Sequence, residues 1–234
     1  MKKLKPTLLI LVVFLSTSSC INFIEKVHFN KDGSGTYSFI LDMSGAKGFL
    51  AMMGEEVTEE KAREEMGDFA EKLDSLKMKF DGIPGITNIK SEWNFKEFQS
   101  DISFKFENVD ALNKALSSLY SPKSDPNPST EPFFVMKGGT LTRTNRASFG
   151  MDSINEMAGM GDSEGEEGME QMAEMSKMMF RDSYAETIIT FEQKVKSVSN
   201  DDYKVSDNNT LTWKKFLYDE RDKDIKVPVK VKLK

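Results

Sequence analysis

"VHFNKDGSGTYSFILDM", residues 27–43, decides the fold. Apolar side chains stand at every second position on either side of a short polar stretch: Val27 and Phe29 before it, with Phe23 on the same parity, and Tyr37, Phe39, Leu41 and Met43 after it. Successive side chains of a strand point to opposite faces, so a period of two reads as two half-buried strands. Between them lie Gly33 and Gly35, read as the suppliers of the positive φ that a tight connection demands. The stretch is a β-hairpin, and the rest of the chain builds on a sheet.

Downstream the period changes. From Thr58, a candidate N-cap followed by Glu59 and Glu60, the apolar positions Ala62, Met66, Phe69, Leu73, Leu76 and Phe80 step by threes and fours, the stripe of an amphipathic helix. "DGIPGI" stops it at Pro84. Two strands follow, one carrying Ile89, Trp93 and Phe95 on a face, the other Ile102, Phe104 and Phe106. A second helix then carries Val109, Leu112, Ala115, Leu116 and Leu119, with Asn108 placed to cap it. The second half reads as strands "PFFVMKG" and "TLTRTNRASF", a helix in "EEGMEQMAEMSKMMFRD", and strands "AETIITFEQKV", "NTLTWKKF" and "DIKVPVKVKLK". In the last, apolar residues alternate with Lys226, Pro228, Lys230, Lys232 and Lys234, and the missing donor of Pro228 predicts an edge strand. The expected class is α+β: one antiparallel sheet with helices packed on one face. Two stretches interrupt it, a Pro-rich loop over 121–132 and a Met, Gly and acid-rich segment over 150–168 that reads as mobile.

Upstream of the hairpin, Lys2, Lys3 and Lys5 precede the apolar run Leu8 to Leu15, then Ser16 to Ser19, then Cys20, the one cysteine of 234 residues. Eight apolar residues are too few to span a hydrocarbon core, which takes about 20 in a helix, so the run reads as a secretory leader over 1–19. "STSSC" resembles the lipobox of bacterial lipoproteins, with Thr17 where that family prefers Leu. The resemblance implies cleavage before Cys20, which becomes the acylated first residue of a single domain, 20–234. Two or three acyl chains such as palmitate hold a protein to a membrane stably where one does so only marginally. By resemblance to the sorting rule of enteric lipoproteins, Ile21 after the cysteine favours the outer membrane, facing the periplasm.

Three of the 32 basic residues and none of the 38 acidic ones lie in 1–19, so the formal charge goes from −6 for the whole chain to −9 after cleavage. An acidic chain with a pI near 5.1 is no partner for nucleic acid, whose phosphates call for a basic face. With Cys20 committed to the anchor, no thiol remains for an internal disulfide, and stability must come from a packed core.

The chemistry-bearing residue types point away from catalysis. His28 is the sole histidine and sits on the hairpin face opposite Val27 and Phe29; G-x-S-x-G and phosphate-loop motifs are absent, and zinc sites lack their Cys and His ligands. "DSEGEE", 162–167, offers carboxylates without the spacing of a calcium loop. Eight of fifteen methionines lie in 151–179, and Met169, Met172, Met175 and Met179 form a loose helical stripe. Thioethers suit Cu(I), and the same spacing also suits plain packing of an amphipathic helix. No cofactor is called for.

The opening "VHFNKDGSGTYSFILDMS" and the late "NNTLTWKKF" resemble the mycobacterial LppM-type lipoprotein domain, which implies an α+β envelope domain with a lipid-binding cavity. Three functions follow as expectations. The first is a non-enzymatic, membrane-anchored envelope lipoprotein that binds an envelope protein or lipid or serves a structural role. The second is a carrier of lipid or another hydrophobic ligand, with Phe39, Trp93, Phe104 and Phe106 lining a pocket. The third is a Met-rich Cu(I) protein.

Overall fold

The hairpin forms. β1 (Asn22–Phe29) and β2 (Gly35–Asp42) pair antiparallel, from Asn22 opposite Asp42 to Phe29 opposite Gly35. The structure, a computed structural model, describes residues 21–45, 58–60, 63, 75, 77–120, 130–145, 182–217 and 227–234. Cys20 and its leader, residues 121–129 of the Pro-rich loop, the 150–168 segment and the helix expected to carry Met169, Met172, Met175 and Met179 lie outside the described residues.

Gly33 takes φ +87°, as the turn requires. Gly35 does not; it is an ordinary strand residue, and glycine is needed there for space. A Cβ at Gly35 would stand 1.8 Å from the His28 carbonyl oxygen and 2.6 Å from the Phe106 ring. The turn is held by Asn30 and Ser34, whose backbones bond at 2.8 Å, and by Asp32, which accepts from the Ser34 amide at 2.9 Å.

β3 (Ile86–Asn94) and β4 (Gln99–Phe106) form the second hairpin, and β4 lies against β2. Ile102, Phe104 and Phe106 are all buried on one face, as their spacing predicts. In β3 the simple alternation fails, because a bulge between Thr87 and Lys90, with Asn88 at φ 52°, shifts the register. Phe95 lies in the turn beyond the strand. α1 (Val109–Tyr120) buries Ala111, Leu112, Ala115 and Leu116 and starts at an Asn108 cap, whose Oδ1 accepts from the Ala111 amide at 2.9 Å. Before β3, the described residues 59, 60, 63, 75 and 77–81 are helical, ending before Pro84, and Phe80 is fully buried against Phe104.

The remaining strands are β5 (Phe134–Lys137), β6 (Thr140–Arg143), β7 (Tyr184–Phe191), β8 (Val195–Val198), β9 (Lys204–Ser206), β10 (Thr210–Phe216) and β11 (Val229–Leu233). They correct the expectation of one antiparallel sheet. Among the described residues there are two sheets, ordered β3-β4-β2-β1-β7-β10-β9 and β5-β6-β11-β8, and the larger is mixed because β1 runs parallel to β7. The stretch read as one strand, "AETIITFEQKV", is broken after Phe191. The Glu192 amide bonds the Phe29 carbonyl at 2.9 Å and closes the β1 ladder, after which Val195 opens β8 in the other sheet. β9 was not anticipated at all. Pro228 does not mark an edge either: β11 lies between β6 and β8, and its ladder begins at Val229, so proline sits just outside the pairing that its missing donor would break. Val229 and Val231 are buried while Lys230 and Lys232 are exposed, as the alternation predicts.

The architecture is mostly β and broadly α+β. One core cluster runs through both sheets, α1 and Phe80. Phe29 is a hinge point of that packing: its ring meets Phe106 and Phe134 edge-on at 5.6 Å and stacks on Phe191 at 5.9 Å, joining three strands of the large sheet to β5 of the small one. α1 reaches the outer edge of β5 through Asn113, whose amide accepts from the Phe134 N–H at 2.9 Å and donates to its carbonyl at 2.8 Å. One side chain thus does for a strand edge what a neighbouring strand would do.

Candidate functional site

Among the described residues, two places concentrate polar or aromatic chemistry. The first is buried. Phe23, Glu25, Val27 and Phe29 alternate with the outward residues of β1, so the carboxylate of Glu25 projects into the core on the same face as its apolar neighbours. Arg143 of β6 comes from the other sheet and donates from Nη1 to Glu25 Oε2 at 2.5 Å; each side chain is all but inaccessible. Thr187 of β7 donates to the same oxygen at 3.1 Å, and the Tyr37 hydroxyl reaches Oε1 at 3.4 Å. Tyr37 in turn meets the hydroxyl of Tyr120, at the end of α1, at 2.6 Å. Five elements and both sheets thus meet in one hydrogen-bonded chain.

The electrostatics follow from burial. It works against the Arg143 charge, but the facing Glu25 carboxylate, through its charge and its hydrogen bond, together with the Tyr203 and Tyr120 phenols holds the guanidinium above its ordinary range. Burial pushes the Tyr37 and Tyr120 phenols well above theirs, and the Glu25 charge adds to the effect. Tyr203, whose hydroxyl donates to the Val227 carbonyl at 2.7 Å, is pushed up to about 12, again by burial first. With both carboxylate oxygens engaged, the cluster works as a clamp between layers.

The second place is an end of the large sheet. Asn94 stands opposite Gln99, Gln99 opposite Asp42, and Asp42 opposite Asn22; across β7 the row continues near Tyr184, which stands opposite Phe216. Four aromatic rings gather along it. Trp93 and Phe95 lie 5.4 Å apart, with the Arg63 guanidinium 4.3 Å over Phe95. Tyr184 and Phe216 meet edge-on at 6.1 Å, with Lys214 Nζ 3.3 Å from the Tyr184 ring. At the β3–β4 tip an open cleft of about 560 Å³ is bordered by Trp93, Phe95, Glu59, Arg63, Asn94 and Gln99. Asp101 also borders it, its carboxyl raised by burial against the opposing pull of the Ser38 hydroxyl.

Of the residues expected to line a ligand pocket, Phe39, Phe104 and Phe106 are packed in the core and Trp93 alone borders this cleft. His28 is on the face away from Val27, as its parity predicts, with Nδ1 2.9 Å from the Thr190 hydroxyl. Sequence reasoning missed Glu25 and Arg143. For Glu25 the signal was present: it occupies the middle of the period-two series from Phe23 to Phe29. Among the described residues no group of three or more His, Cys, Asp or Glu side chains is placed to hold a metal.

These features define a two-sheet domain with a buried ionic clamp and an aromatic end. No family model matches the chain, and no curated protein matches it. Among solved structures it is similar to the folded domain of LppM from Mycobacterium tuberculosis, with a TM-score of 0.41 and 8% identity over 92% of this chain and 89% of that one.

Proposed function

We propose that the protein is a membrane-anchored, non-enzymatic lipoprotein of the cell envelope, held by acyl chains on Cys20 in the outer membrane and facing the periplasm as a binding or structural module for an envelope protein or lipid. One observation carries the reading. The Ile21 amide is already bound, donating to Ser183 Oγ at 2.8 Å, and Asn22 opens β1, which lies between β2 and β7 inside the large sheet. Residues bonded into the large sheet thus follow the cysteine directly, which supports a leader that ends before Cys20. A carrier with Phe39, Phe104 and Phe106 around its ligand would have to open the core that these rings fill.

Intact-mass analysis of protein extracted from its own membrane tests this: the expected mass is that of residues 20–234 plus acyl groups. Cys20→Ala is expected to move the protein from the membrane pellet to the soluble fraction. A mutant that stays in the pellet, or a mature form without acyl mass, would sink the proposal.

A further inference from the structure

The end of the large sheet where β1 begins carries the four rings Trp93, Phe95, Tyr184 and Phe216, each partly exposed, with Arg63 and Lys214 against them. The opposite end of the same strands is different in kind. There the turns present Lys31, Asp32, Glu192, Asp207 and Asn208, all polar. Among the described residues the large sheet is thus polarised along its strands, and the aromatic pole is the one from which the chain leads back to Cys20.

Indole and phenol rings prefer the headgroup layer, where an apolar body and a polar edge are both satisfied, and cationic side chains beside them can reach lipid phosphates. With one residue, Ile21, between Cys20 and Asn22, an acylated Cys20 cannot lie far from Asn22, since each extended residue spans about 3.5 Å. The row of Asn94, Gln99, Asp42, Asn22 and Tyr184 would then face the bilayer at close range. The net charge of the chain argues against general attraction to an anionic surface, so contact depends on the rings at this pole.

We propose that this aromatic pole docks into the headgroup layer of the membrane that holds the anchor, so that the strands stand upright and the DGSG turn points away. The inference rests on the lipoprotein reading above. β1 has eight residues, so the two poles lie about 25 Å apart at about 3.3 Å per residue, far enough for short-range quenching to tell them apart.

The test uses the full chain, matured in cells, with Lys96→Cys at the β3–β4 tip or Lys31→Cys at the distal turn; both lysines are exposed, and an acylated Cys20 takes no label. Each variant, labelled with an environment-sensitive fluorophore, is placed in phosphatidylethanolamine–phosphatidylglycerol vesicles containing lipid with a nitroxide near the headgroup. The probe at 96 is expected to be quenched at least about three times as strongly as that at 31, given their axial separation. Equal quenching with the protein still pelleting on the vesicles would overturn docking and leave the anchor standing. Loss of pelleting and of acyl mass would overturn both. Should Lys96→Cys fail to fold, dibrominated lipid quenching of tryptophan in the unsubstituted protein serves instead, since Trp93 lies at the proposed pole and Trp213 is buried, and unquenched emission would refute docking.

Discussion

Gly35 and the Glu25–Arg143 pair show two ways in which one residue fixes the fold. Gly35→Ala would place a methyl group inside the contact distance of a backbone carbonyl, which cannot swing aside as a side chain end can. The hairpin or the Phe106 ring must shift, at a cost of about 1–3 kcal/mol or more. Gly33→Ala meets no such neighbour, its nearest contact being Met136 Sδ at 3.5 Å, and pays only for φ +87°, about 1 kcal/mol. Urea unfolding of both variants should therefore give the lower midpoint for Gly35→Ala; the reverse order would show that conformation outweighs space at this turn. Arg143→Ala leaves the Glu25 carboxylate in the core without its partner, and loss of about 3–5 kcal/mol is expected. Glu25→Leu combined with Arg143→Met removes both charges and should recover a substantial part of that loss. A double variant whose loss equals the sum of those of Glu25→Leu and Arg143→Met made singly would mean that the two groups do not act as a pair.

Among the elements, those whose pattern is local were legible. The first hairpin, the buried alternation of β4, the stripe and cap of α1 and the two-faced β11 all stand where their periods put them. What a local pattern does not carry is the partner. β1 and β7 pair in parallel through residues more than 160 positions apart, and Glu25 meets Arg143 across 118. Period two places Glu25 on the core face, yet only the assembled sheets show which cation meets it there. The break after Phe191 and the bulge at Asn88 were illegible for another reason: each is an irregularity imposed by neighbouring strands on an otherwise regular apolar run. The aromatic pole was only partly visible, with Trp93 noted as a ligand-facing ring and its companions Tyr184 and Phe216 assigned no role. At this scale the seam between α1 and β5 makes a prediction. Asn113→Ala removes both bonds to Phe134 and leaves its partly buried N–H and C=O without that partner, so a loss of about 1–3 kcal/mol is expected. Amide exchange should quicken in β5 first; protection of Phe134 and its neighbours equal to that of the parent protein would deny Asn113 its role as an edge cap.

For the whole molecule, the two phenols of the clamp and the nearby buried phenol of Tyr203 link stability to pH on the alkaline side. Tyr37, Tyr120 and Tyr203 hold their protons more tightly in the folded state than in the unfolded chain, where a phenol titrates near 10: the first two well above that value and Tyr203 at about 12. Below pH 10 both states keep these protons, and the stabilisation from holding them neutral is complete. Between 10 and 12 the unfolded chain releases protons that the folded one retains, so unfolding is favoured progressively as pH rises. Each such phenol contributes a slope of up to about 1.4 kcal/mol per pH unit, and three together up to about 4. A domain with a typical stability of about 5–15 kcal/mol would lose much of it within this window. Urea midpoints measured at half-unit steps from pH 9 to 11.5 should fall from near pH 10. Tyrosinate absorbance from these three phenols should rise together with loss of the fold. Tyr203→Phe should make the fall shallower, because one of the three linked protons is gone, although its bond to the Val227 carbonyl is lost and the midpoint at pH 8 drops somewhat. Stability that stayed level to pH 11, or phenols that ionised while the sheets remained intact, would show that the clamp admits solvent, and with it the two sheets would be coupled far more loosely than their shared core implies.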